Sequence, residues 1–224
     1  MLDKIKSYVF GLLITDGTLY FAKTRNRGRV TLEVSEKDKD IVEKLHNLYP
    51  ESHIRVRTRS TNFSKSYTSY SFVNGMLDFR TNLVNSGYPK KDKTSLASTP
   101  TVEYSEIDFW RGVIDGDGSV GISKDNTPFI GLVTKSENMK TEFLTFLNKK
   151  LGLLKTATRN KRDNVYNILV TNEAAVDLAK LLYIFEEPEI YIDRKHKSAE
   201  ELQNWVRTRP MRPWRSSYKT RITF

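Results

Sequence analysis

Two stretches of the chain carry apolar residues at helical spacing and close on the same polar pair. Val9-Phe10-Gly11-Leu12-Leu13-Ile14-Thr15-Asp16-Gly17 and Trp110-Arg111-Gly112-Val113-Ile114-Asp115-Gly116-Asp117-Gly118 each have Gly third and Asp-Gly last, with Asp16 and Asp117 separated by 101 positions. The pattern around each stretch repeats as well. In the first half it predicts a helix over 4–15 that Gly17 ends. Strands follow near 18–25 and 29–35 around a turn at Arg25-Asn26-Arg27-Gly28. Ser35-Glu36-Lys37-Asp38 fits a capping box ahead of the stripe Ile41, Val42, Leu45 and Leu48, which Pro50 stops. Strands near 53–60 and 66–73 and a helix near 76–86, ended by Gly87, complete the half.

The second half runs the same order. Ser105 and Asp108 fit a capping box before the second apolar run. Strands are predicted at 118–124 and 128–134, and a helix at 137–150 with Gly152 just beyond. Strands near 154–160 and 164–171 precede helices near 173–185 and 195–206. Leu19, Phe21 and Lys23 match Val120, Ile122 and Lys124 at the same offset, which points to an internal duplication. The expected fold is α+β, with two pseudo-symmetric αββαββα repeats and antiparallel sheets. The boundaries are 1–93 for the first repeat, 94–104 for a small, polar, Pro-bearing linker, 105–206 for the second repeat and 207–224 for a basic tail.

Charge sets the class of partner. There are 37 Lys+Arg against 27 Asp+Glu, a net charge of +10 and a pI near 9.6, which favours a polyanion. With no cysteine and three histidines, thiolate catalysis and Cys-ligated zinc are excluded and a His-based metal centre is disfavoured. No apolar stretch approaches the ~18 residues that span a bilayer. Lys4 and Lys6 before an apolar run echo a signal peptide, but the run stops at Asp16 without a small-x-small site. A cytoplasmic protein with no membrane partner is expected.

The basic residues are ordered. From Ile54 to Phe72 there is no acid, and Arg55, Arg57 and Arg59 alternate with Ile54, Val56 and Thr58. Period two puts the three arginines on one strand face, where they suit guanine edges in a major groove. Lys65 and Tyr67 follow on the returning strand, and Lys23, Arg25 and Arg29 flank the preceding turn. Lys124, Lys155, Arg159, Lys161, Arg162, Asn164 and Tyr166 stand in the corresponding places of the second half. The plain alternative is the solvated face of a half-exposed sheet. The tail from Arg207 carries six cations and no acid, either as an arm on phosphates or as a soluble extension.

With Gly in the middle and Asp-Gly at the end of the first helix of each repeat, the chain resembles the LAGLIDADG homing endonucleases in their single-chain, two-motif form. W-R-G-V-I-D-G-D-G is a close match. V-F-G-L-L-I-T-D-G is looser, with Phe10 where a small residue is usual and Ile14 where an acid is common. The resemblance implies a DNA-binding saddle of two sheets and a monomer that breaks both strands of a long duplex site, leaving 3′ overhangs. It implies Asp16 and Asp117 as ligands of Mg²⁺ or Mn²⁺, with the backbone carbonyls of Thr15 and Gly116 also facing the metal. Gly11 and Gly112 sit where the two helices would touch.

The resemblance also places a basic residue near each scissile phosphate. The K-x-K-[ST] echo, Lys91-Asp92-Lys93-Thr94 and Lys195-His196-Lys197-Ser198, supplies two candidates per half, and the sequence does not say which. Glu36 and Lys135 fall at the position that orients water at the edge of the site. The bland readings are an ordinary helix C-terminal turn for each Asp-Gly and solvated surface lysines. A calcium loop starting at Asp115 is disfavoured because Val120 and Asn126 stand where Gly and Glu are needed. The alternatives in function are an intron RNA maturase, which would add structured RNA as a partner, and a non-catalytic DNA-binding regulator. Both motif acids are present, which favours cutting.

Overall fold

The computed structural model describes residues 1–22, 26–61, 64–184 and 190–207, with the backbone alone for 61, 64 and 65. Helix α1 (Lys4–Asp16) starts at Asp3, whose carboxylate accepts from the Lys6 amide at 2.8 Å. Every residue from Ser7 to Ile14 is buried, as expected of a helix that is apolar all round. Strands β1 (Gly17–Phe21) and β2 (Gly28–Ser35) form a hairpin, and a 3₁₀ turn at Glu36–Asp38 leads into α2 (Lys39–Leu48). Strands β3 (His53–Thr61) and β4 (Ser64–Asn74), helix α3 (Leu77–Asn85) and the short α4 (Lys93–Leu96) follow. The second repeat contains α5 (Glu106–Asp117), β5 (Gly118–Ile122), β6 (Pro128–Thr134), α6 (Glu137–Leu151), β7 (Tyr166–Thr171), α7 (Glu173–Tyr183) and α8 (Asp193–Gln203).

The first sheet has the order β1-β2-β4-β3 and the second β5-β6-β7, with every neighbouring pair antiparallel. In both, one face is apolar and packs on helices. Val30, Leu32 and Phe72 bury the first against α1 and α2, and Ile130, Leu132, Ile168 and Val170 bury the second against α5, α6 and α7. Among the described residues, no helix is long and apolar enough to cross a membrane.

α1 and α5 lie against each other at the centre, and glycine makes that possible. A Cβ on Gly11 would stand 2.2 Å from the Phe109 carbonyl oxygen, and one on Gly112 would stand 2.2 Å from that of Tyr8. The two backbones are therefore in contact, each at the other's glycine. Phe10, the departure from the usual small residue, is buried edge-on against Tyr88, with ring centroids 6.1 Å apart.

Several expectations need correction. Gly17 does end α1, but in extended conformation (φ −73°), and its need for glycine is steric, since a Cβ would meet the Leu13 carbonyl oxygen at 2.5 Å. Neither predicted capping box forms: Ser35 makes no side-chain cap, and the Ser105 hydroxyl bonds the Asp108 carboxylate instead. Ser136, at the start of α6, does cap, accepting from the Met139 amide at 3.2 Å. The strand expected at 154–160 is replaced by an extended segment with one bridge, Arg159 to Tyr166. Lys155 explains part of this, because its ammonium takes the Leu169 carbonyl at 2.6 Å, an acceptor that a continuing ladder needs. The predicted linker begins inside α4 rather than after it.

The helix contact makes a direct prediction. Gly112→Ala should lower stability by about 1–3 kcal/mol through overpacking, a fall in Tm of about 2–4 °C per kcal/mol for a chain of this size. Thermal unfolding followed by circular dichroism measures it. An unchanged Tm would mean that the two backbones do not touch.

Candidate active site

Because α1 and α5 touch along their length, their C-terminal ends meet. A Cβ on Gly116 would stand 1.9 Å from the Thr15 hydroxyl oxygen and 3.5 Å from Asp16 Oδ2, so only glycine fits beside the opposite helix end. Asp16 and Asp117 both reach the surface there, and Asp117 opens onto a cleft against β6 and α6. Thr15, Lys93, Asp117, Val133 and Lys135 line that cleft. The arrangement raises both carboxyl pKa values. For Asp16 the main cause is lost hydration, reinforced by Asp38 and opposed by Lys195 and Lys93. For Asp117 it is again lost hydration, reinforced by the charge of Asp16 and opposed by the same two lysines.

The structure selects one lysine from each quartet. Lys93 donates to the carbonyls of Thr15 and Gly17, the latter at 2.6 Å. Lys195 donates to Ile114 (2.7 Å), Asp115 (2.6 Å), Gly116 (3.1 Å) and Gly118 (2.9 Å). Thr15 and Gly17 match Gly116 and Gly118 at the offset of 101, so the two ammonium groups occupy equivalent places at two helix C-termini. A cation there satisfies orphan carbonyls and opposes the negative end of the helix dipole. Burial lowers the pKa of both lysines, and the Asp115 carboxylate opposes the shift at Lys195. Lys91 and Lys197 are exposed and lie outside this arrangement. The quartets are thus read two positions out of step, second lysine against first, because α4 begins at Lys93 whereas α8 begins two residues before Lys195.

Each lysine is carried by an element clamped to the opposite repeat. Just after α4, the Ala97 carbonyl accepts from Ser136 at 2.5 Å, and the Thr99 amide donates to Glu142 at 2.8 Å. On the other side, Arg194 makes a two-pronged bond to Asp38 at 2.8 and 3.0 Å. Lys44 joins Asp40 and Asp193 at 3.1 and 2.5 Å. These cross-repeat contacts are not readable as pairs, since the partners lie 39 to 156 positions apart. The buried carboxylate of Asp115 was also missed. It accepts from Tyr8 (2.7 Å), Tyr183 (2.7 Å) and the Ile192 amide (2.9 Å), joining α1, α5, α7 and the start of α8. Its counterpart in the first motif is the apolar Ile14. The partial signal was an acid inside an apolar run.

Lys135 lines the cleft. Glu36 is exposed at the first position of the 3₁₀ turn, and the acid whose charge acts on Asp16 is Asp38, two residues on.

The first sheet presents its arginines together. Arg55, Arg57 and Arg59 stand opposite Ser71, Ser69 and Tyr67, on the face away from Leu32 and Phe72. Arg59 lies over the Tyr67 ring at 5.7 Å and pairs with Glu33 at 3.4 Å. Arg29 lies over Tyr20 at 5.5 Å, and both line one groove with Arg55 and Arg57. Lys23 and Arg25, the side chain of Lys65, and the tail beyond Arg207 lie outside the described residues.

The second half fits its expectation less well. Tyr166 alternates with Ile168 and Val170 and is therefore buried on the core side, its ring covered by Lys140 and Arg159. Arg159 also donates to Asn164 and to the Lys135 carbonyl. Asn164 takes a left-handed turn conformation (φ 54°). Lys155 is tied to the sheet edge. Lys124, Lys161 and Arg162 are exposed in turns.

Residues 105–182 match the family described as LAGLIDADG-like domain. No curated protein sequence matches the chain. Among solved structures, the chain resembles the homing endonuclease I-WcaI bound to its DNA recognition sequence, at TM-score 0.60 and 15% identity over 86% of this chain and 85% of that one. It also resembles the LAGLIDADG homing endonuclease I-LtrWI bound to target DNA, at TM-score 0.53 and 12% identity, covering 89% and 88%. A lysine-to-alanine mutant of I-SmaMI is similar at TM-score 0.53 and 11% identity, covering 89% and 88%.

The raised carboxyl pKa values carry a stability prediction. A raised acid pKa means that ionisation disfavours the folded state, a penalty absent below the unfolded pKa of about 3.9 and fully present at neutral pH. Asp16→Asn or Asp117→Asn should therefore raise Tm at pH 7 in the absence of divalent ions, and the gain should vanish near pH 3. Equal or lower Tm at pH 7 would contradict the repulsion described here.

Proposed function

On the premise that the second repeat is a LAGLIDADG-like domain and the whole chain carries the two-repeat fold of LAGLIDADG homing endonucleases, we propose that the protein is a site-specific DNA endonuclease. It binds a long duplex across its two sheets and cuts both strands beneath the ends of α1 and α5, across the minor groove, leaving 3′ overhangs. The observation that carries this reading is the meeting of Asp16, Asp117, Lys93 and Lys195 at the joined ends of α1 and α5, where the charges of both lysines act on both carboxyl groups.

The donor set fits a hard divalent cation. Two poorly hydrated carboxylates and two helix-end carbonyls are all oxygen ligands. Asp16 and Asp117, with the carbonyls of Thr15 and Gly116, would hold Mg²⁺ or Mn²⁺. Such an ion neutralises charge on the scissile phosphate and acidifies bound water. The lysines do the rest from fixed positions. Lys93 and Lys195 hold the helix ends in place and set positive charge beside the phosphates, where it favours the more negative transition state. Lys135, at the cleft edge, orients water and phosphate. Arg55, Arg57 and Arg59 anchor the flanking duplex in its major groove.

Retention of both acids supports cutting over an RNA-binding or regulatory role alone. Both half-sites lie within one chain, which supports action as a monomer.

Asp16→Asn and Asp117→Asn should each abolish double-strand cleavage, by at least about 100-fold as for loss of a key charge-stabilising group, while DNA affinity stays within a few fold. Arg57→Ala should cost about 1–3 kcal/mol of binding and relax preference at particular base pairs. Cleavage and binding assays on duplexes selected from a randomised library measure both. Near wild-type double-strand cleavage by either Asn variant would overturn the assignment.

A further inference from the structure

The two open sheet faces differ in chemistry, and from that difference we infer that the half-site under the second sheet is read largely through thymine methyl groups. The inference rests on the DNA-binding reading above. On the first sheet the open face is a field of arginines with Glu33 and serines among them. The open face of the second sheet carries Phe129, Val133 and Leu169 at its middle, with Gly121 and Gly131 between them and Ser119, Asn167 and Thr171 beside them. Alternation places them there, opposite the buried Ile130, Leu132, Ile168 and Val170.

Glycine geometry confirms which way these side chains lie. A Cβ on Gly121 would meet the Phe129 ring at 3.5 Å, and one on Gly131 would meet Leu169 Cδ1 at 3.3 Å. Phe129 and Leu169 therefore lie over neighbouring glycines, on the side of the sheet away from the core. Val133 and Leu169 are 44% and 46% exposed. The result is an apolar ridge in which Phe129 and Leu169 lean over Gly121 and Gly131, leaving Val133 and Leu169 exposed to a ligand.

Two observations say what covers it. Val133 lines the same cleft as Asp117 and Lys93, so the ridge is continuous with the proposed cutting site. By the internal repeat, β6 and β7 correspond to β2 and β4, so the ridge lies on the same open face as the first half's arginines, one strand nearer the centre than Arg55, Arg57 and Arg59 on β3. A duplex that crosses both sheets must lay a major groove on this ridge. Exposed cations at Lys124, Lys161 and Arg162 flank the sheet and suit phosphates. In the major groove, the apolar feature a base edge offers is the C5 methyl of thymine, whereas arginine selects guanine. The target is therefore asymmetric, richer in contacted guanines under β3 and β4 and in contacted thymines under β6 and β7.

The test begins with duplexes enriched by the full chain from a randomised library. Positions whose preference relaxes in the Arg55→Ala/Arg57→Ala/Arg59→Ala variant identify the first half-site. Thymines in the other half are then replaced singly by deoxyuridine, which keeps pairing and removes only the methyl. At contacted positions, binding should weaken about 3–5-fold, the effect of one buried methyl-sized group. The Val133→Ser/Leu169→Ser variant should lose that discrimination while keeping its preference in the first half-site. Equal affinity of the wild-type chain for thymine and deoxyuridine throughout the second half-site would overturn the inference. So would discrimination that survives in the serine variant. A library in which nothing is enriched would overturn the endonuclease reading as well, which separates the two failures.

Discussion

The backbone contact between α1 and α5 is the constraint from which the rest of the molecule follows. Two helices with ordinary side chains at their crossing stand 8–10 Å apart. Here Gly11 and Gly112 remove the intervening Cβ atoms, and each faces a carbonyl oxygen of the other helix. The acids at the helix ends are thereby delivered side by side. Each helix also runs straight into the first strand of its sheet, at Gly17 and Gly118, so the same contact fixes how the two sheets diverge from the centre. Site and binding face are set by one piece of packing.

That packing gathers negative charge. Two carboxylates and two helix C-termini meet at one end of the helix pair, and the protein answers with two lysines. Their ammonium groups bond carbonyls at the helix ends, not the carboxylates, according to the hydrogen bonds of Lys93 and Lys195. The carboxyl pKa values therefore stay raised even with two cations nearby. Lost hydration is the main reason, and oxygen ligation of a divalent ion would compensate for it. The cross-repeat clamps, Arg194 to Asp38 and Ser136 to Ala97, make each lysine's position depend on the other repeat.

Much of this architecture was legible in the sequence because duplication shows each element twice. The helices, the hairpins and the paired Asp-Gly endings follow from periodicity and from the offset of 101. The three arginines on β3 were likewise fixed by period two. What was not legible depended on distant contacts. The choice of Lys93 and Lys195 over Lys91 and Lys197 is set by where α4 and α8 begin. The buried Asp115 is satisfied by Tyr8 and Tyr183, far away in sequence. The strand expected at 154–160 fails because Lys155 takes a carbonyl of its neighbour, a side-chain choice that propensity does not register. Tyr166 falls on the buried side because it alternates in phase with Ile168 and Val170.

The central claim is that one chain supplies both acids to a single composite site. Mixing tests it most directly. The Asp16→Asn and Asp117→Asn chains are combined at equal concentration with a selected duplex and Mg²⁺, beside the wild-type chain. The account predicts double-strand breaks from the wild-type chain and none from the mixture, because no chain in it holds both carboxylates. Recovery of double-strand cleavage by the mixture would show that acids from different chains meet, and would contradict a site built by the contact of α1 with α5.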